Sequence, residues 1–163
     1  MSTIEKLPSE YRKAIGLFAT GVTVIVAAKD GEVRGMTANA VTSLSLDPTL
    51  LLFCPAKDAR ISSYCEVGSS FTVNILGTQQ EGISNHFAGA ETEPEHEFID
   101  WDEAGDAPRI AGSLASIGCR THAIHDGGDH WIIVGKVVAL HREEEPGEPL
   151  LFHGGGYHKL AKD

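Results

Sequence analysis

The stretch "TGVTVIVAAKDGEVRGMTANAV", residues 20–41, decides the fold. A β-branched run, Asp30-Gly31 and a second extended run follow one another, and Asp-Gly between such runs marks a two-residue hairpin whose central positions both need positive φ. An antiparallel pair turning at Asp30-Gly31 is therefore expected. Four more short runs rich in Val, Ile, Leu and aromatics are bounded by Gly, Pro, Asp or Ser: "TLLLFCPA" (49–56), "SFTVNIL" (70–76), "SIGCRTHAI" (116–124) and "HWIIVGKVVAL" (130–140). Helices are expected in only three places, "PSEYRKAIGLFA" (8–19), "ARISSYCEV" (59–67) and "TQQEGISNHFA" (78–88), the last opening on a Thr78 cap. About six strands with short links and so few helices predict a mainly β protein built on a barrel.

Composition sets the outer limits. A chain of 163 residues, 42% hydrophobic and 22% charged, fits one domain over 1–163 that buries about 70% of its unfolded surface. No run approaches a membrane span and "MSTIEKLPSEYRK" lacks a signal-peptide apolar region, so a cytoplasmic protein is expected. Cys54, Cys65 and Cys119 are odd in number and widely spaced, which predicts reduced thiols rather than disulfides or a structural zinc site. With 23 acidic residues against 13 basic ones, net −10, nucleic acid is excluded as the expected partner, and a phosphate-bearing ligand needs a local site. The acidic stretches 89–106 and 142–149 read as solvated loops. "TVIVAA" and "WIIVGKVVAL" are apolar on both faces, and three short helices are too few to cover a barrel, so a homodimer is expected.

Three stretches carry candidate chemistry. "RGMTANAVTSLSLDP" (34–48) interleaves Thr37, Asn39, Thr42, Ser43 and Ser45 with small apolar residues. It reads either as a Ser/Thr-rich edge strand or as a strand that offers backbone groups and the side chains of Asn39, Thr42 and Ser43 to a planar heterocycle. "PAKDARISSY" (55–64) places Lys57, Arg60, Ser62 and Ser63 near a helix start, an anion site or a solvated loop and cap. In "HAIHDGGDH" (122–130), a Gly127-Gly128 turn sets His125 opposite His130 and Asp126 opposite Asp129, with His122 on the other face. His130 is then a functional imidazole, a strand-end residue, or one ligand of a metal with His125 and Asp129, a set that His122 joins only through a bulge. "HGGGYH" (153–158) reads as a closing loop, and no Rossmann glycine motif, P-loop or nucleophile elbow is present.

Taken in order, "ATGVTVIVA", "GMTANAVTSLSLDPTLLLFC", "FTVNIL" with "ISNHFAG", "GDHWIIVGKV" and "PLLFHGGGYHKL" resemble the flavin reductase-like family, whose fold is the FMN-binding split β-barrel, over about Tyr11 to Leu160. The resemblance implies a homodimer that binds FMN or FAD near its interface and takes hydride from NADH or NADPH, supplying reduced flavin to a partner monooxygenase. It implies an isoalloxazine ring along Thr37, Ala38, Asn39 and Ala40, with Thr42, Ser43 and the backbone of Cys54 nearby. It further implies a phosphate held by Lys57, Ser62 and Ser63, Phe87 beside the flavin chain, and His130 where nicotinamide docks. "GGGY" is looser than the family's closing segment, so Tyr157 is left outside the expected site. Two other readings stand beside it: a flavin- or haem-binding protein of the same fold without turnover, and the metalloprotein centred on His125, His130 and Asp129.

Overall fold

The computed structural model describes residues 3–89 and 101–161. Asp30 and Gly31 take φ of 53° and 81°, and Lys29 pairs with Glu32 across them, so the expected hairpin forms with both central residues left-handed. The elements in chain order are α1 (Thr3–Ile15), β1 (Thr20–Gly21), β2 (Thr23–Lys29), β3 (Glu32–Ala38), β4 (Val41–Leu46), β5 (Thr49–Phe53), β6 (Ser70–Ile75), α2 (Glu81–Phe87), β7 (Trp101–Ala104), β8 (Ala107–Ile110), β9 (Ala115–Gly127), β10 (His130–Arg142), β11 (Leu151–His153) and β12 (Gly156–His158). The protein is mainly β, as expected, but the strands outnumber the six read from the sequence: the stretch 34–48, expected as one strand, breaks at Asn39-Ala40 into β3 and β4, and the hairpin β7–β8 and the short β1, β11 and β12 carry too few apolar residues to stand out.

Seven strands form one sheet in the order β3-β2-β6-β9-β10-β5-β4, every neighbouring pair antiparallel. Its two edges, β3 and β4, are joined only by Asn39-Ala40. Seven strands laid flat would separate the edges by roughly 29 Å at the usual interstrand spacing, whereas the link from Ala38 to Val41 reaches about 11 Å at most. The sheet therefore curls until its edges face each other, and residues 37–43 lie along the seam.

β2 shows how the interior is divided. Ile25 and Ala27 point into the barrel with Phe53, Phe71, Val73, Cys119 and Ile133, while Val24 and Val26 point outward onto Leu76, Ile110 and Leu150. Period-two alternation thus buries both faces within one chain. This corrects the argument for a second subunit at "TVIVAA", because β8 and the segment leading into β11 cover that face. The second half of β10 keeps the expected deficit, with Val138 and Leu140 exposed at 49% and 73%. Asn74, wholly buried, fastens β8 to the barrel: its Oδ1 accepts from the Ile110 amide at 3.0 Å and the Ser116 hydroxyl at 2.8 Å, and its Nδ2 donates to the Val24 carbonyl at 3.0 Å.

Local expectations need three adjustments. The expected helix 59–67 is a 3-10 turn, Arg60–Tyr64. Thr78 opens a 3-10 turn ahead of α2 but caps nothing; the Gln80 side-chain oxygen instead accepts from the Gly77 amide at 3.1 Å. Of the acidic stretch 89–106, residues 90–100 lie outside the described residues; 101–104 form β7 rather than loop, and Asp102 and Asp106 pair with Arg109 and Arg120. Among the described residues no helix is long and apolar enough to cross a membrane.

Candidate active site

Three adjoining cavities open along the β3–β4 seam, and Asn39 borders all of them. The first, about 530 Å³, has Thr42, Ser43 and Phe18 in its walls with Leu51, Val73 and Leu140. The second, about 580 Å³, runs over Ala40, Thr42, Cys54, Arg12 and Phe152. The third, about 220 Å³, is bounded by Thr37, Ala38, Phe152 and Tyr157. The fold thus brings together seven of the expected residues: Thr37, Ala38, Asn39, Ala40, Thr42, Ser43 and Cys54.

The local cause is the break between the edge strands. Ala38 ends β3 with its carbonyl accepting from Thr23 Oγ1 at 2.6 Å, and Ala40 lends its carbonyl to the Cys54 amide at 3.0 Å. Asn39 between them is exposed, and its side chain makes no hydrogen bond among the described residues. Thr20 lines the first two cavities, and its Oγ1 is buried behind their surface without a partner. An apolar cleft with a few unsatisfied polar groups fits a flat heterocycle whose edges carry donors and acceptors. Other polar groups are already engaged: Thr37 Oγ1 donates to the Ser84 carbonyl at 2.6 Å, and Ser84 Oγ lies 2.7 Å from the Tyr157 hydroxyl. Burial raises the Cys54 thiol above its ordinary value, so it serves as a neutral wall.

The remaining expected residues stand apart from the cavities. Lys57 forms an ion pair with Asp126 and lies 4.6 Å from the centre of the Trp131 ring. Ser62 Oγ donates to the Ala56 carbonyl and Ser63 Oγ to the Arg60 carbonyl, each at 3.0 Å. A phosphate held by these three residues has to displace those partners. Phe87 packs in the outer core against β3, where a side chain on Gly35 would meet its ring at 2.4 Å, and its neighbour Ala88 lines the third cavity.

At the histidine cluster the register corrects the expectation by one residue. The turn is Gly128-Asp129, with φ of 84° at Gly128, and His130 pairs with Gly127 while His125 pairs with Ile132. His125 and His130 still share a face, but diagonally, and a bulge does fall at His122, between the pairs Val134–Ala123 and Gly135–Thr121. Even so, no three His, Cys, Asp or Glu side chains among the described residues group closely enough to hold a metal. His130 Nδ1 lies 2.7 Å from Asp129 Oδ1, an interaction that is the main cause holding the Asp129 carboxyl below its ordinary value. The turn is tied to the segment that follows β5: the Lys57 amide donates to the Asp129 carbonyl at 3.0 Å and the Trp131 amide to the Pro55 carbonyl at 2.9 Å. His130 is thereby fixed half-exposed at the start of β10, outside the walls of these three cavities.

Arg12, Phe18, Phe152 and Tyr157 are the site residues that sequence reasoning missed. Phe18 falls within the expected helix 8–19, yet α1 ends at Ile15 and leaves it 70% exposed. Tyr157 meets Phe152 edge-on, ring centres 5.6 Å apart, and closes the third cavity.

Residues 15–161, which hold every strand and α2, match the family described as the flavin reductase like domain. The chain belongs to that family. It is 38% identical to the reductase subunit HsaB of a flavin-dependent monooxygenase from Rhodococcus jostii, over 96% of this chain and 80% of that protein. An NADH-dependent FAD reductase from Streptomyces globisporus is 39% identical over 94% of this chain and 86% of its own length. Among solved structures, the Streptomyces globisporus NADH:FAD oxidoreductase SgcE6 in complex with NAD and FAD fragments superposes with a TM-score of 0.88 at 37% identity, covering 97% of this chain and 95% of that one. Flavin reductases are thus what this chain resembles over nearly its full length.

Proposed function

We propose that this chain is an NAD(P)H:flavin oxidoreductase of split-barrel type that reduces FMN or FAD and delivers reduced flavin to a flavin-dependent monooxygenase. The carrying observation is the apolar-walled cleft at the seam, centred on the exposed Asn39, whose side chain makes no hydrogen bond among the described residues. Bound flavin supplies the two-electron acceptor that no side chain here provides. The protein's part is alignment: Asn39 engages the polar edge of the ring, Thr37, Ala38, Ala40, Thr42, Ser43 and Cys54 shape its bed, and His130 orients the nicotinamide. Hydride transfer between two held rings depends on such positioning more than on a protein acid or base. Donors oriented at the polar edge of the ring also favour the negative charge that accumulates on reduction.

The active unit is a homodimer in the cytoplasm. Support comes from apolar side chains beside the cleft: Leu17, Phe18 and Leu140 are each about 70% exposed, and Leu46 on the edge strand 86%. A second copy covers such a surface in the most economical way. NADH is the preferred donor, in keeping with the names of the relatives.

Purified protein is titrated with FMN, FAD and riboflavin, and then each flavin is offered with NADH or NADPH while nicotinamide oxidation is followed. Turnover of at least one flavin supports the proposal. Tight flavin binding without oxidation of either nicotinamide contradicts it and makes the chain a flavin carrier, and a Soret band in the purified protein makes it a haem protein.

A further inference from the structure

Arg12 is set in the last turn of α1 and lines the 580 Å³ cavity together with Asn39, Thr42 and Cys54. Its turn is anchored at both ends, since the Gly16 amide donates to the Arg12 carbonyl at 3.0 Å and the Gly154 amide to the Gly16 carbonyl at 2.8 Å. Lys13, Lys29, Arg34, Lys57, Arg109 and Arg120 all sit in ion pairs. The Arg12 guanidinium has no such partner among the described residues. Its charge is also among the lesser causes, after the hydrogen bond and charge of His130, that lower the Asp129 carboxyl.

A protein of net charge −10 repels a phosphate-bearing ligand unless a local cation receives it. Lys57 is committed to Asp126, so the cation left on the cleft is Arg12, whose planar fork suits bidentate contact with phosphate oxygens. We infer that Arg12 binds the phosphates of the nicotinamide dinucleotide, holding the donor's charged backbone at the mouth of the cleft while its ring docks by His130. The inference rests on the flavin reductase reading, and it gives the donor, rather than the flavin, the cation that lines this cavity without an ion-pair partner among the described residues.

The test compares wild type, Arg12→Ala and Arg12→Lys with NADH and with an uncharged N-alkyl dihydronicotinamide that carries no phosphate. Loss of one charge-assisted contact raises KM for NADH about tenfold or more in Arg12→Ala. The uncharged donor keeps its rate, FMN affinity and melting temperature hold, and Arg12→Lys recovers part of the loss. Added salt raises KM for NADH in wild type and much less in Arg12→Ala. An unchanged KM for NADH overturns the inference, as does an equal loss with the uncharged donor. Weakened binding of FMN but not riboflavin also overturns it and moves Arg12 to the flavin's phosphate. Wild type that reduces flavin with neither donor defeats the reductase reading itself, an outcome distinct from a silent Arg12.

Discussion

His130 sits at the first position of β10, held by the Asp129 carboxylate on one side and by the bridge to Ala56 on the other. Its half-exposed ring contributes little packing, so His130→Ala is expected to leave flavin affinity and melting temperature nearly unchanged. If it orients nicotinamide, kcat/KM for the nicotinamide falls roughly ten- to a hundredfold, about 1.4 to 2.8 kcal/mol of transition-state stabilisation. Stopped-flow reduction at subsaturating donor checks this, and unchanged hydride transfer removes His130 from the site. The same loop predicts a response to acid. The hydrogen bond from Lys57 chiefly lowers the Asp126 carboxyl, and His130 chiefly lowers that of Asp129. Carboxyls depressed in the folded state contribute stability that is full above their unfolded pKa and is lost as pH falls through the depressed one. Melting temperature should therefore drop as pH falls through and below the ordinary carboxylate range, and Asp126→Asn should flatten part of that drop. At this scale the sequence was legible where chemistry is local. Residues 37–43 announced themselves by small and hydroxyl side chains in a strand, whereas Arg12, Phe18, Phe152 and Tyr157 reach the cleft only through long-range folding that no nearby pattern encodes.

Element by element, turns show the same division. Asp30-Gly31 was readable because one dipeptide alone supplies two residues tolerant of positive φ. Gly127, Gly128 and Asp129 all suit a turn, and the choice among them is made by pairing across β9–β10 and by the Asp129 carbonyl's bond to Lys57, neither of which is local. The helices were readable as places but not as types, since a five-residue 3-10 turn and a short α-helix share their apolar spacing. β10 carries a further consequence in Gly135, which sits where the register with β9 shifts. A methyl there would lie 2.5 Å from the Phe71 ring and 3.0 Å from Cys119 Cβ, and Phe71 is packed on Phe53 with ring centres 5.1 Å apart. Gly135→Ala is expected to destabilise the fold by about 1 to 3 kcal/mol through overpacking. Denaturant titration measures it, and a midpoint equal to wild type would show that the barrel interior is looser than this packing implies.

For the whole molecule, the mainly β class followed directly from strand runs and few helices, while the need for a second subunit was argued from two strands of which one turned out to be covered within the chain. Leu140 and Phe18 at the cleft carry that argument now. Sedimentation at micromolar concentration should give twice the chain mass, and Leu140→Asp should shift the protein toward monomer and weaken flavin binding together; a monomeric wild type that binds flavin fully would separate the site from the interface. The central claim, that the seam aligns a flavin with a reduced nicotinamide for hydride transfer, is tested most directly by a single anaerobic turnover. Protein and FMN are mixed with NADH carrying either hydrogen or deuterium at the transferred position, and the flavin's visible absorbance is followed. The account predicts complete bleaching whose rate falls when deuterium is transferred; a flavin that binds but keeps its colour with NADH and NADPH alike would contradict it.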